Sequence, residues 1–342
     1  MTVALAILDN FWVFLVIKLL AVVLVLLGFS LAIIYAELKI MAHMQARIGP
    51  YFAGGRFGWA QPFADALKFL QKEDLVPDEA DSPVFRLAPA VSLMSTVAVF
   101  VIVPFSPTLI ARDLDVGIFY ALAVSSIGTL GVLMAGWSSA NKYSLMGGLR
   151  AAAQLIAYEL PMVLAVAAVV VQAGTMSMVG IVEAQGGTAL FTIPGTDIGL
   201  PFVMVGQIVA FGIFMTAALA ELSRIPFDMP IAESELVFGY LTEYSGIRFT
   251  MFFLAEYAGM FSMAALATTL FLGGWYLPGL DPTIFGPFVM MGKVSLLVFV
   301  MIWVRVTWPR LREDQLQSFA WKWLIPVSLA NIMVTAVLKV VL

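Results

Sequence analysis

The 342-residue chain contains no cysteine and a single histidine, His43. Thiolate-ligated iron–sulfur clusters and haem or zinc sites built on several histidines are therefore excluded. Charge is scarce too: Asp, Glu, Lys and Arg make up 12% of residues, against 62% hydrophobic. No Walker loop or dinucleotide glycine fingerprint follows a strand-like run, which argues against nucleotide chemistry. Nothing suggests a nucleic-acid partner. If electrons are involved, another subunit carries them.

What the chain has is long apolar runs. A mean hydropathy of +0.99 puts it in the polytopic, all-α membrane class, a single transmembrane domain over 1–342. Runs long enough to cross the hydrocarbon lie near 11–36, 84–106, 116–137, 151–173, 200–220, 249–273, 287–306 and 321–341. That predicts eight spans. The first lacks a small-residue cleavage site behind it and reads as a span rather than a signal peptide. Pro161 and Pro326 fall near the starts of their spans, where proline is harmless.

Basic residues orient the bundle. Of 18 Lys and Arg, all but Lys18, Arg112, Lys293 and Lys339 lie in or beside the loops after spans one, three, five and seven. The positive-inside rule makes those loops cytoplasmic and puts both termini outside. The loop 37–84 contains QPFADALKFLQKED, in which Phe63, Leu67 and Leu70 recur at helical spacing between Asp65, Lys68 and Lys72. This predicts an amphipathic helix on the membrane surface. The opposite loop 174–200, with only Glu183 and Asp197 charged, reads as a connector.

Six of the 22 acidic residues fall in 221–257: Glu221, Asp228, Glu233, Glu235, Glu243 and Glu256. Ionisable groups at membrane depth are costly and mark function by default. Pro226 and Pro230 make a continuous helix through Glu221 and Asp228 improbable, so 221–248 reads as an acidic cytoplasmic or re-entrant loop. Removing a second proton beside a negative charge is unfavourable, so such a cluster suits a proton relay. The competing reading is static pairing of these acids with Arg224 and Arg248 at a subunit contact. Glu159, inside the fourth span between Tyr158 and Leu160, either extends the relay or hydrogen-bonds a neighbouring helix.

A third group, Glu37, Lys39, Gln45 and Arg47, ends the first span. It either flanks the entrance for a polar-headed lipophilic ligand or snorkels among lipid headgroups, the second being favoured by spacing alone. His43 reads as interfacial, and most of the 19 Met and 26 Phe as packing or lipid-facing.

With these motifs laid out, the chain resembles one family throughout: the membrane subunit of proton-pumping NADH:quinone oxidoreductase, respiratory complex I, that joins the membrane arm to the peripheral arm. One signature stands as Glu37-Leu38-Lys39 with Gln45-Ala46-Arg47-Ile48-Gly49-Pro50, another as PFDMPIAESELVFGYLTEY at 226–244. QPFADALK at 61–68, GLRAAAQLIAYE at 148–159, FFLAEY at 252–257 and PRLREDQL at 309–316 support it. Leu38 replaces the signature arginine, Ile231 a further glutamate and Tyr51 an asparagine. Related subunits of membrane-bound hydrogenases and deazaflavin-dependent reductases share the scaffold.

The resemblance implies an enzyme subunit in a bacterial plasma (inner) membrane, beside other membrane-arm subunits, peripheral-arm quinone-site subunits and lipids. It binds no cofactor of its own: FMN and iron–sulfur clusters lie on partners, and ubiquinone or menaquinone is the substrate. Proton coupling is expected at Glu159, Glu221, Asp228, Glu233, Glu235, Glu243 and Glu256, and quinone contact at Lys39, Gln45, Arg47, Phe253 and Tyr257. A stand-alone proton or ion transporter, for which no inverted repeat is visible, and a purely structural anchor are the alternatives.

Overall fold

The computed structural model describes residues 11–186, 199–204 and 206–341. Among the described residues twelve α-helices occur: α1 Phe11–Met44, α2 Gln61–Gln71, α3 Ser82–Phe100, α4 Gly117–Ser138, α5 Lys142–Ala173, α6 Met178–Glu183, α7 Ile208–Glu221, α8 Glu233–Leu236, α9 Gly246–Phe271, α10 Gly286–Thr307, α11 Glu313–Phe319 and α12 Ile325–Val341. No strand element occurs among the described residues. Seven of the described helical segments are long and apolar enough to span a bilayer: α1, α3, α4, α5, α9, α10 and the continuous run Glu313–Val341. The chain is a multi-pass, all-α membrane protein.

The expected fifth span is the exception. It is the 14-residue α7, preceded among the described residues by a short 3₁₀ turn at Phe202–Met204. At 1.5 Å per residue it covers about 21 Å, short of the ~30 Å hydrocarbon core. Pro201 and Gly206, the latter at φ +90°, break the helix although the composition stays apolar. Irregular backbone at that depth needs internal partners. Gln185 supplies them on one side, donating to the carbonyls of Ile181, Thr269 and Leu270 while its Oε1 accepts from the Phe202 amide. Gln207 bonds Thr335 and Asn331 on the last helix.

Helix ends differ from the apolar windows in instructive ways. α5 begins at Lys142, where Asn141 caps the amide of Tyr143, so Pro161 sits deep inside the helix rather than in its first turn. α1 runs to Met44, eight residues into the segment expected to be loop. Pro326 lies within the continuous helix Glu313–Val341, and the turn before it, Ala320–Leu324, widens to π. A proline lacks the donor for the i−4 carbonyl and clashes with it, and a π turn absorbs both faults. The amphipathic α2 forms as expected, with Phe63, Leu67 and Leu70 all exposed on it. Asp197, in the connector 174–200, lies outside the described residues.

Three of the four cations outside the basic loops satisfy backbone carbonyls. Lys293 donates to Leu272, Gly274 and Tyr276 at the C-terminal end of α9, and Lys339 to Val171 and Gln172 at the end of α5. Lys18 donates to Ala111. At the ends of α9 and α5, Lys293 and Lys339 complement the helix dipole and its orphan carbonyls. At the other end of the bundle Trp137, Trp303, Trp308, Trp321 and Trp323 are exposed, as in an interfacial aromatic belt.

The main core gathers α1, α3, α5, α7, α9 and α10 around Phe214, Tyr158, Phe261 and Phe271. A second cluster, Phe85, Ala88, Ala135, Tyr240, Leu241, Tyr244 and Phe252, anchors the loop after α7 to α3 and α9. There Phe85 and Tyr244 stack with centroids 4.1 Å apart, and the Tyr244 hydroxyl donates to the Phe85 carbonyl. Burial pushes the Tyr244 hydroxyl up to about 12. The loop also touches α5 closely: a Cβ added at Gly147 would lie 2.6 Å from Gly239 Cα and Tyr240 N. Both neighbours are backbone and have no easy way to yield. Gly147→Ala is therefore expected to destabilise the loop's seat by about 1–3 kcal/mol, measured as lower recovery and thermal stability of the purified protein; wild-type values would contradict this packing.

Candidate functional site

The site starts from one buried residue of α1. Leu26, Ser30, Ile33 and Glu37 recur at helical spacing and are all buried, so the stripe that packs α1 inward delivers a carboxylate 1% exposed. A charge in that position needs partners. Glu37 Oε2 accepts from Arg224 Nη1 at 2.6 Å, and Oε1 accepts from Arg305 at the end of α10.

Arg224 reaches this position because α7 stops. Its amide bonds the Leu219 carbonyl, Ser223 turns with φ +50°, and Gln154 of α5 donates to the Ala220 and Phe227 carbonyls on either side of the turn. Arg224 is 3% exposed and shared: its Nε lies 2.7 Å from Glu256 Oε1, and its guanidinium sits 4.4 Å from the centre of the Tyr257 ring. Only the bond to Glu37 is well aligned; Nε and Nη2 make no hydrogen bond. One guanidinium thus bridges a carboxylate of α1 and a carboxylate of α9.

Glu256 and Glu221 line a common cavity of about 110 Å³, with hydroxyls from α3, α4 and α9 and the ring of Tyr240. Glu221 ends α7, and its Oε2 is buried without a hydrogen-bond partner. Glu159 on α5 lies within electrostatic reach of Glu221, and Asp228 within that of Glu256 and Tyr240. Burial, then the charges of Glu256 and Asp228, raise the Tyr240 hydroxyl above its ordinary value. Four of the seven expected acids therefore converge: Glu159, Glu221, Asp228 and Glu256.

The others stand apart. Glu235 is exposed and accepts from Arg150 at 2.8 Å, while Arg150 also lies 3.5 Å from Glu313. Glu243 accepts from Asn141 at 2.5 Å. The side chain of Glu233 lies outside the described residues. Of the two arginines weighed as neutralisers, Arg224 pairs within the cluster and Arg248 pairs with Asp74 at 2.9 Å.

The expected quinone contacts divide likewise. Lys39 donates to the Pro50 carbonyl and Arg47 to Gln45, holding the turn 45–50 closed at the end of α1. Phe249, Phe253, Tyr257 and Phe261 form a stripe at four-residue spacing on α9, with Phe253 and Tyr257 centroids 4.8 Å apart. The stripe leads to an apolar groove of about 250 Å³ between α1, α9 and α10, lined by Phe29, Ile33, Ile40, Phe261, Met291 and Ile302.

A family model described as NADH dehydrogenase matches residues 17–336. The H subunit of NADH-quinone oxidoreductase from Geobacillus kaustophilus (strain HTA426) is 49% identical over 321 residues, 94% of this chain and 92% of that protein. The same subunit from Geobacillus thermodenitrificans (strain NG80-2) is 48% identical over 92% of this chain and 91% of its own length. That of Bacillus thuringiensis subsp. konkukian (strain 97-27) is 47% identical over 97% and 95%.

The chain belongs to this family. As a member of the family of NADH-quinone oxidoreductase H subunits it is a membrane component of an oxidoreductase complex, in line with its motifs. Glu37 is the residue that sequence reasoning missed: grouped with surface polar residues, it is instead the buried centre of the charge network. The stripe Leu26–Ser30–Ile33–Glu37 is the signal that marks it as inward-facing.

At the rim, the hydrogen bond from Arg150, followed by burial, acting oppositely, and the charges of Arg310 and Arg150, holds the Glu235 carboxyl below its ordinary value. A depressed carboxylate contributes stability above its unfolded pKa and loses it as pH falls through the lower folded value. Protection of 225–245 against hydrogen exchange, taken relative to the intrinsic rate at each pH, is therefore expected to fall on acidification below the usual glutamate range, and exchange is expected to be already faster at neutral pH in Arg150→Ala. Equal exchange in the two proteins at neutral pH would contradict the tie.

Proposed function

We propose that this chain forms part of the quinone passage of NADH-quinone oxidoreductase and couples quinone reduction to proton movement through its buried acids. The observation that carries this reading is the sharing of Arg224 between Glu37 and Glu256. The groove between α1, α9 and α10 suits an isoprenoid tail: its lining is apolar and runs along the helices toward the end where Glu37 and Arg305 sit. Lys39, Gln45, Arg47, Phe253 and Tyr257 border that passage in this reading, at or beside the same end of α1 and α9.

The headgroup is reduced on adjoining peripheral-arm subunits, which carry the flavin and iron–sulfur centres; a chain without cysteine offers no thiolates for a cluster. Appearance of negative charge near the passage draws on the nearest buried cation, Arg224 with Arg305. A guanidinium pulled toward Glu37 weakens its hold on Glu256, which then takes up a proton. The cavity between Glu256 and Glu221 and the proximity of Glu159 extend this response along α5 and α7 toward other membrane subunits. Electrostatic switching of this kind needs only a local charge change and an element with two states. The loops 45–81 and 222–245 form the docking face for the peripheral arm, in a bacterial plasma membrane with both termini outside.

The relay is tested by Glu221→Gln and Glu159→Gln in the assembled complex. NADH oxidation with an artificial acceptor is expected to persist, while NADH-driven quinone reduction coupled to proton uptake falls by about a hundredfold or more, the scale of a lost proton-transfer group. Wild-type coupled turnover in both variants would overturn the reading.

A further inference from the structure

The cavity joining Glu256 to Glu221 is lined by more hydroxyls than packing requires: Ser92, Ser95 and Thr96 from α3, Ser125 and Thr129 from α4, and Ser262 from α9. Hydroxyls in a helix ordinarily donate to a carbonyl three or four residues back. Ser95 and Thr96 do so to Ser92, and Ser125 to Leu122. On α9 itself, Thr250, Thr268 and Thr269 bond Gly246, Ala264 and Ala265 in the same way. Ser262 is the one serine or threonine of α9 that does not. It is 2% exposed, lines the cavity, and its Oγ has no hydrogen-bond partner. A buried hydroxyl left unbonded carries an energetic cost and calls for an explanation at its site.

Its position supplies one. Ser262 lies six residues beyond Glu256 on α9, about 9 Å along the axis, and shares the cavity with the unbonded Oε2 of Glu221. Of the back-bonded hydroxyls, Ser95 and Thr96 are engaged with the Ser92 carbonyl, while Ser125, bonded to the Leu122 carbonyl, also faces the Glu221 carboxyl at one end of the cavity. Ser262 offers both a proton and lone pairs, as a carrier must. The cavity has room for several waters at 10–15 Å³ each.

We propose that the Ser262 hydroxyl, together with water in this cavity, carries protons between Glu256 and Glu221. The inference rests on the relay reading above and adds a residue to it. In the step, protonated Glu256 gives its proton to a neighbouring water, which passes one of its own to Ser262 Oγ. Ser262 passes its original proton to a second water, which passes one to the Glu221 carboxylate. Each water and the hydroxyl gain one O–H bond and lose one, Glu256 loses one and Glu221 gains one. No electrons change hands, and reorientation of the hydroxyl and the waters restores the starting state. Ser262 is a positioning and carrying group; it does not contact quinone.

The test uses the complete complex reconstituted in sealed vesicles with NADH and a quinone. Ser262→Ala is expected to lower the number of protons translocated per electron and to slow coupled turnover several-fold, with NADH oxidation by an artificial acceptor retained as the measure of assembly. Ser262→Thr, which keeps a hydroxyl, is expected to restore most of both. Wild-type coupling in Ser262→Ala, or equal defects in the Ala and Thr variants, would overturn the proposal. Glu221→Gln in parallel separates the two ideas. A defect there with a normal Ser262→Ala removes only the hydroxyl, whereas a normal Glu221→Gln removes the relay itself.

Discussion

The buried pair between Glu37 and Arg224 is the constraint on which this structure turns. Each residue is at most 3% exposed, and each would be prohibitive alone in an apolar bundle. Removing one partner of such a pair typically costs about 3–5 kcal/mol because the other charge is left uncompensated. To bring them together, α1 must turn a carboxylate inward and α7 must end where its last turn releases Arg224. The early stop of α7, the glutamine bonds of Gln154 across the turn and the seating of the following loop on α5 all serve that placement.

Arg224 is also where two chemical neighbourhoods meet. On one side lie Glu37, Arg305 and the apolar groove; on the other lie Glu256, the hydroxyl-lined cavity and Glu221. A guanidinium presents five donors in a fixed fork, and here only one of them makes a well-aligned bond to a carboxylate. In the proposed coupling, that under-use is what would let the guanidinium shift its hold between Glu37 and Glu256.

Much of this is legible in the sequence, and the misses have physical causes. The long helices can be read because twenty apolar residues have few other fates. α7 reads as a full span because composition stays apolar from Pro201 on, whereas among the described residues only one 3₁₀ turn, Phe202–Met204, leads into it. Hydropathy puts Pro161 near a helix start because it detects hydrocarbon, not the cap at Asn141 some twenty residues earlier. Glu159, Glu221, Asp228 and Glu256 are expected to cooperate and do lie together, whereas Glu235 and Glu243 find partners at the rim that only the fold reveals. Lys293 and Lys339, which the sequence offers as exceptions to the charge asymmetry, close the ends of α9 and α5.

The most direct test is a double-mutant cycle between Glu37→Gln and Glu256→Gln, read as coupled NADH-driven quinone reduction in the intact complex. These carboxylates lie on different helices and share Arg224 as their common partner. Residues that share a partner show interaction energies of about 0.5–3 kcal/mol, whereas independent sites add. The account predicts strong non-additivity, with the double variant differing clearly from the product of the single effects. Simple additivity of the two losses would contradict it and reduce Arg224 to a structural counter-ion.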